Sequence, residues 1–223
     1  MSKNIIVAVD EIRLETAKDI INQLDPSMCM IKIGSVAFNS IGREIVSYTS
    51  KKGFDIFLDL KFHDIPNTVK KSIKGISLLP VKMITVHISG GKGMMLAAMK
   101  AVAGTGIKVF GVTALTSLND SDTSIIYQRT PSQQVSVMLD LAESVGINGV
   151  VCSPHELELV KKRPSLLSII PGIRLQNSND DQKRVMTPKD AIKLGADYLV
   201  IGRPITASKN IGKSLEEIYL SIQ

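Results

Sequence analysis

The sequence predicts a (β/α)8 TIM barrel of eight parallel strands, in one domain over residues 1–223. Three observations carry that prediction. Short runs rich in β-branched residues recur eight times, and each is followed by a stretch of helical period or a polar loop. The 223 residues give about 28 per unit, the size of a compact strand-plus-helix pair. Finally, the first run lacks the GxGxxG turn that would favour the alternative, a doubly wound open sheet, which also usually has fewer strands.

The eight runs are Ile5–Asp10, Met28–Gly34, Asp55–Lys61, Met83–Ser89, Lys108–Leu115, Gly149–Ser153, Ser168–Ile173 and Tyr198–Arg203. Between them, Ser35 to Lys52 places apolar residues at helical spacing, with Gly53 suited to end the helix. Pro66, Pro131, Pro154 and Pro188 each open a helical stretch at a position where the missing N–H costs little. Those stretches run to Val145, Lys162 and Leu194 for the last three. Two loops, Thr116–Thr130 and Arg174–Lys183, are longer than a barrel needs and are candidate lids.

Composition narrows the function. Hydrophobic residues are 44% and charged residues 22%, which excludes a disordered chain. Aromatics are 4% with no Trp, which predicts an aliphatic core and argues against a base-stacking surface. The net charge of +6 fits either a nucleic-acid surface or an anionic small substrate. The bases are scattered, and Lys70, Lys71 and Lys74 have the spacing of a solvated helix face, so no nucleic-acid partner is expected. Cys29 and Cys152 fit no zinc or CxxC spacing and suit a reducing cytoplasm, with Cys152 packing as a small apolar residue. The N-terminal MSKNIIVAVDE does not read as a signal peptide, and no run approaches the ~18 apolar residues of a membrane span.

In a barrel the chemistry sits at the C-terminal ends of the strands. Alternation along the third run, DIFLDLKFHDIPNT, turns Ile56, Leu58, Leu60 and Phe62 outward and Phe57, Asp59 and Lys61 into the lumen, with Asp64 on the departing loop. The second run ends in Lys32 and the first in Asp10. Mutual neutralisation alone is a weak reason for Asp59 and Lys61, because buried charges cost several kcal/mol each and a barrel interior is normally aliphatic. Four strand-end charges from three consecutive strands read instead as a preorganised electrostatic site. The seventh and eighth runs end in Gly172 and Arg174 and in Gly202 and Arg203, where barrels recurrently bind phosphate. Thr206, Ser208 or Asn210 could cap the helix that follows. His63 lacks convergent partners and is expected to be structural, while His87 either lines the site or is a hydrogen-bonded interior residue. No metal site is expected.

The segments DLKFHDIPNT (59–68), VAVD, KIG, VTALTS (112–117), PGIR (171–174), DQKRVMTP (181–188) and VIGRPIT (200–206) closely resemble the orotidine 5′-phosphate decarboxylase family, bacterial type. The match runs from the first strand to the last, with LQNSNDDQ after PGIR as a small departure. The resemblance implies conversion of orotidine 5′-monophosphate to UMP and CO2 in pyrimidine synthesis, without a cofactor, by a homodimer. It implies that Lys61 gives the proton to C6, inside a network of Lys32, Asp59 and Lys61 completed by Asp64 of the partner subunit. Asp10 and Lys32 would contact the ribose beside Thr68 of the partner subunit, and Thr116 would lie near the pyrimidine. Arg174, Gln182, Gly202 and Arg203 would hold the phosphate, with Gln182 carried on the lid. The DxKxxD core is shared with metal-dependent sugar-phosphate enzymes of the same superfamily. Those carry an acidic metal ligand on the second strand, where this chain has Lys32. A non-catalytic nucleotide- or RNA-binding barrel is a further alternative, but Asp10 and Asp59 would repel its phosphates.

Overall fold

Eight short strands close into one ring in chain order: β1 (Ile5–Val9), β2 (Cys29–Gly34), β3 (Ile56–Phe62), β4 (Met83–His87), β5 (Lys108–Val112), β6 (Gly149–Val151), β7 (Leu167–Ile170) and β8 (Tyr198–Ile201). All neighbours are parallel, and β8 pairs back onto β1. This computed structural model describes residues 4–174 and 186–223. The expected (β/α)8 barrel is therefore the observed one, with strand limits within three residues of those read from the sequence.

Strands buried on both faces need apolar residues on both, and two separate cores result. The outer layer, between strands and helices, is aliphatic, with Val7, Ile31, Leu58, Ile84 and Leu199 fully buried. The barrel interior differs from the aliphatic expectation. It is filled by Ile6, Met30, Phe57, Met83, Phe110 and Ile169. Phe110 sits edge-on to Phe57 and Tyr198, with ring centroids 6.4 and 6.3 Å away. The few aromatics are thus partly spent on plugging the barrel, which forms a packed floor beneath the strand ends.

Helix starts follow local chemistry. Pro66 and Pro131 occupy first turns, and Thr130 forms a capping box with Gln133 at the head of the Pro131–Val145 helix. Asn210, one of the three cap candidates, accepts from the Lys213 N–H at the head of the last helix. The Pro154 stretch begins as a 3-10 turn before the Leu157–Lys161 helix. Two expectations are corrected. The stretch from Ser35 to Lys52 is two helices, Ser35–Ile41 and Arg43–Lys51, because Gly42 takes a left-handed φ of 77° and ends the first. The Thr116–Thr130 loop contains a helix, Asp120–Tyr127, started by an Asn119–Asp122 capping box and ended by left-handed Gln128. Ile125 and Ile126 on it stay exposed, so it carries no apolar stripe to reveal it.

Candidate active site

A cavity of about 580 Å³ opens at the C-terminal ends of the strands. Its floor is made by Ala8, Phe57, Val112, Val151 and Val200, one residue each from five strands. Asp10, Lys32, Asp59 and Lys61 stand on its wall. Parallel register explains their convergence: Ala8 pairs Lys32, Lys32 pairs Phe57, and Gly34 pairs Asp59, so the ends of β1 to β3 are level.

The four charges form an alternating chain. Asp10 Oδ1 lies 3.0 Å from Lys32 Nζ, Lys32 Nζ lies 3.9 Å from Asp59 Oδ2, and Asp59 Oδ2 lies 2.6 Å from Lys61 Nζ. Lys32 and Asp59 are buried, and each has an opposite charge beside it, which is what their burial requires. Lys61 is a third exposed at its side chain and faces the cavity. Gly34 leaves room for the first pair. A Cβ there would come within 2.8 Å of Asp10 Oδ1 and 2.9 Å of Lys32 Nζ.

The expected alternation along β3 is observed, with Ile56, Leu58, Leu60 and Phe62 on the outer core and Phe57, Asp59 and Lys61 on the lumen side, but the pairing of β3 to β4 is interrupted. Leu58 pairs Ile84 and Phe62 pairs Val86, so residues 59–61 bulge against the single residue Thr85. Lys61 sits in this bulge at φ 49°, a left-handed conformation that costs a non-glycine residue on the order of 1–3 kcal/mol. Thr85, which alternation along TVHIS turns inward but to which the sequence assigns no role, is fully buried. Its hydroxyl accepts the Lys61 N–H and donates to Asp59 Oδ1, both at 2.9 Å. A hydroxyl at an inward-facing position of TVHIS, shared with Ser89, was its visible signal.

The other expected residues divide cleanly. Thr116, Gly172, Arg174, Gly202, Arg203 and Thr206 all line the same cavity. Arg174 is buried, its N–H bonded to the Met186 carbonyl and its guanidinium to the Ile173 carbonyl, while Arg203 is exposed at the rim. Gln182 lies outside the described residues. Asp64 and Thr68 are exposed and do not line the cavity of their own protomer, and Asp64 Oδ1 accepts the Ile65 N–H. His87 is neither cavity-lining nor fully interior. Its ring lies against that of exposed His63, centroids 5.1 Å apart and planes tilted by 34°, and burial, then His63 and Lys61, hold it below the ordinary imidazole value. Cys29 and Cys152 are buried thiols, and burial drives the Cys152 thiol far above its usual range, which leaves it inert. Among the described residues, no group of three or more His, Cys, Asp or Glu is placed to hold a metal ion, and no helix is long and apolar enough to cross a membrane.

Fold and site together define a (β/α)8 barrel enzyme with an internal Asp–Lys chain at one side of its mouth and arginines at the other. A family model described as Orotidine 5′-phosphate decarboxylase / HUMPS family matches residues 3–218. A protein named orotidine 5′-phosphate decarboxylase from Tolumonas auensis is 46% identical over 226 residues, covering 98% of this chain and 97% of that one. One of the same name from Saccharophagus degradans is 44% identical over 220 residues, covering 96% and 92%. The crystal structure of orotidine 5′-phosphate decarboxylase from Lactobacillus acidophilus superposes with a TM-score of 0.87 at 31% identity, covering all of both chains. The chain belongs to the orotidine 5′-phosphate decarboxylase / HUMPS family, and is a decarboxylase, a carboxy-lyase.

Proposed function

We propose that this chain converts orotidine 5′-monophosphate to UMP and CO2 without a cofactor, in the cytoplasm, with Lys61 as the proton donor to C6. The observation that carries the reading is the alternating Asp10–Lys32–Asp59–Lys61 chain on the cavity wall. In the reaction the C6–carboxylate bond breaks, the electron pair stays on C6, and CO2 departs. The Lys61 ammonium then gives C6 a proton and regains one from solvent, so one proton is consumed per turnover.

The electron pair left on C6 has no good resonance outlet in the ring. Decarboxylases commonly borrow an electron sink for such charge. Here a fixed ammonium would supply the stabilisation. Opposite charges ~4 Å apart at an effective dielectric of ~20 interact by about 4 kcal/mol, or roughly 10³ in rate. One lysine is therefore insufficient, and Lys32, which backs Asp59, belongs to the same field. Asp59 beside the substrate carboxylate would add like-charge repulsion in the ground state.

Arg174, Gly202 and Arg203 suit the phosphate, since a guanidinium offers a fork of donors and glycine lets the oxygens approach the backbone. Phosphate binding energy, gained far from C6, can be used to close the site and expel water. Gln182 would join this end. Asp10 and Lys32 would hold the ribose, and Thr116 would sit beside the pyrimidine. The exposure of Asp64 and Thr68, outside their own cavity, supports a homodimer in which each completes the neighbouring site. Against a metal-dependent chemistry in this cavity stands Lys32, whose ammonium holds the place between Asp10 and Asp59 that a divalent cation would need.

The test is the ultraviolet absorbance change of orotidine 5′-monophosphate with the purified full chain, with and without EDTA. Turnover equal in both is expected. No turnover, or turnover abolished by EDTA, would overturn the reading.

A further inference from the structure

We propose that Thr85 is a positioning residue for the reaction, holding the Asp59 carboxylate and the Lys61 backbone in working geometry through one buried hydroxyl. This rests on the decarboxylase reading above. Three observations support it. The β3 bulge sets residues 59–61 against Thr85 alone, so the N–H of Lys61 has no ladder partner there and bonds the Thr85 Oγ1 at 2.9 Å. The Lys61 backbone is left-handed, a state that persists only where its surroundings enforce it. Thr85 itself is fully buried, so no solvent competes for its hydroxyl.

The direction of the two bonds is forced. A hydroxyl has one proton and two lone pairs, and a backbone N–H can only donate. The oxygen must therefore accept from Lys61, which leaves its proton for Asp59 Oδ1, 2.9 Å away. With Oδ1 held, Oδ2 is the oxygen turned to Lys61 Nζ at 2.6 Å and to Lys32 Nζ at 3.9 Å. One side chain on β4 thus fixes the carboxylate of one reacting residue and the main chain of the other. The Asp59–Lys61 contact joins residues two apart through flexible side chains, and nothing in that contact alone would hold Nζ at a fixed place in the cavity. A hydrogen bond to a charged group at a buried site is worth about 10- to 100-fold in an equilibrium or rate.

The experiment compares Thr85→Val, which keeps the shape and removes the hydroxyl, with Thr85→Ser, which keeps the hydroxyl. Steady-state kinetics on orotidine 5′-monophosphate and the affinity for UMP are measured for both. The expected result is a Val variant with kcat lower by about 10- to 100-fold, KM and UMP affinity within about threefold of wild type, and a Ser variant restored to within about fivefold. A Val variant with wild-type kcat, a Ser variant as slow as Val, or a loss confined to KM would each overturn the role. If Thr85→Val does not fold, Thr85→Ala takes its place, and equal kcat in the Ala and Ser variants would overturn it. Absence of turnover by the wild-type chain rejects the decarboxylase reading itself. Turnover by wild type with an unaffected Val variant rejects only the role of Thr85.

Discussion

Lys61 meets Asp59 from a left-handed backbone: its φ is 49°, and its ammonium lies 2.6 Å from the Asp59 carboxylate. The strained residue of β3 is thus also the one that turns an ammonium into the cavity. Strain of this kind is retained where neighbours over-determine it, and here they are Thr85, Asp59 and the flanking Leu58–Ile84 and Phe62–Val86 pairs.

Gly34→Ala tests how tightly the first half of the charge chain is packed. The added methyl would press on Asp10 Oδ1 and Lys32 Nζ, both flexible ends that can yield. The expected outcome is a fall in kcat/KM of about tenfold or more with a melting temperature near that of wild type, because displacement of positioned groups costs rate more than stability. Unchanged kinetics would show that the pair need not be held where it is.

Arg203→Ala tests the phosphate end. Arg203 is exposed at the cavity rim, so its loss should leave the fold intact. KM should rise by about 10- to 100-fold, as expected for a lost charge-assisted contact, with kcat/KM falling at least as far. Wild-type kinetics would remove the phosphate assignment.

Mixing tests the shared site. Asp59→Ala and Asp64→Ala chains are each expected to be inactive alone. A mixed dimer would contain one site with both lesions and one with neither, so mixing should restore part of the wild-type activity. No recovery in mixtures shown to contain mixed dimers would place Asp64 outside the site.

His87 gives the pH dependence a sign. Burial, His63 and Lys61 depress it in the folded chain, Asp59 acting weakly the other way, whereas the unfolded chain titrates near 6.5. Below that value the unfolded state binds a proton that the folded state resists, so stability falls as pH falls. The contribution is whole above about pH 6.5 and is lost through the folded value beneath it. His87→Asn should therefore flatten the acid side of a plot of melting temperature against pH. Parallel curves for the two proteins would contradict it.

The strands were legible because β-branched runs buried on both faces leave a strong local signal, as in IIVAV of β1 and CMIKIG of β2. The strand-end charges were legible for the same reason, since Asp10, Lys32, Asp59 and Lys61 interrupt otherwise apolar runs. What stayed hidden depends on contacts between elements. Gly42 breaks a helix whose apolar spacing continues across it. The Asp120–Tyr127 helix is held by its caps and buries only Thr123. The bulge at residues 59–61 exists only through pairing with β4, so neither the backbone state of Lys61 nor the part played by Thr85 could be read along β3 alone. The ring contact of His63 with His87 likewise joins two strand ends that periodicity treats separately.

The most direct measurement is the kcat of Lys61→Ala on orotidine 5′-monophosphate, alongside its melting temperature. Because Lys61 is partly exposed and its neighbours keep their own partners, the variant should fold and bind UMP. A positioned proton donor that also stabilises the carbanion should be worth at least about 10³-fold in kcat. A folded Lys61→Ala protein turning over within about tenfold of wild type would contradict the account.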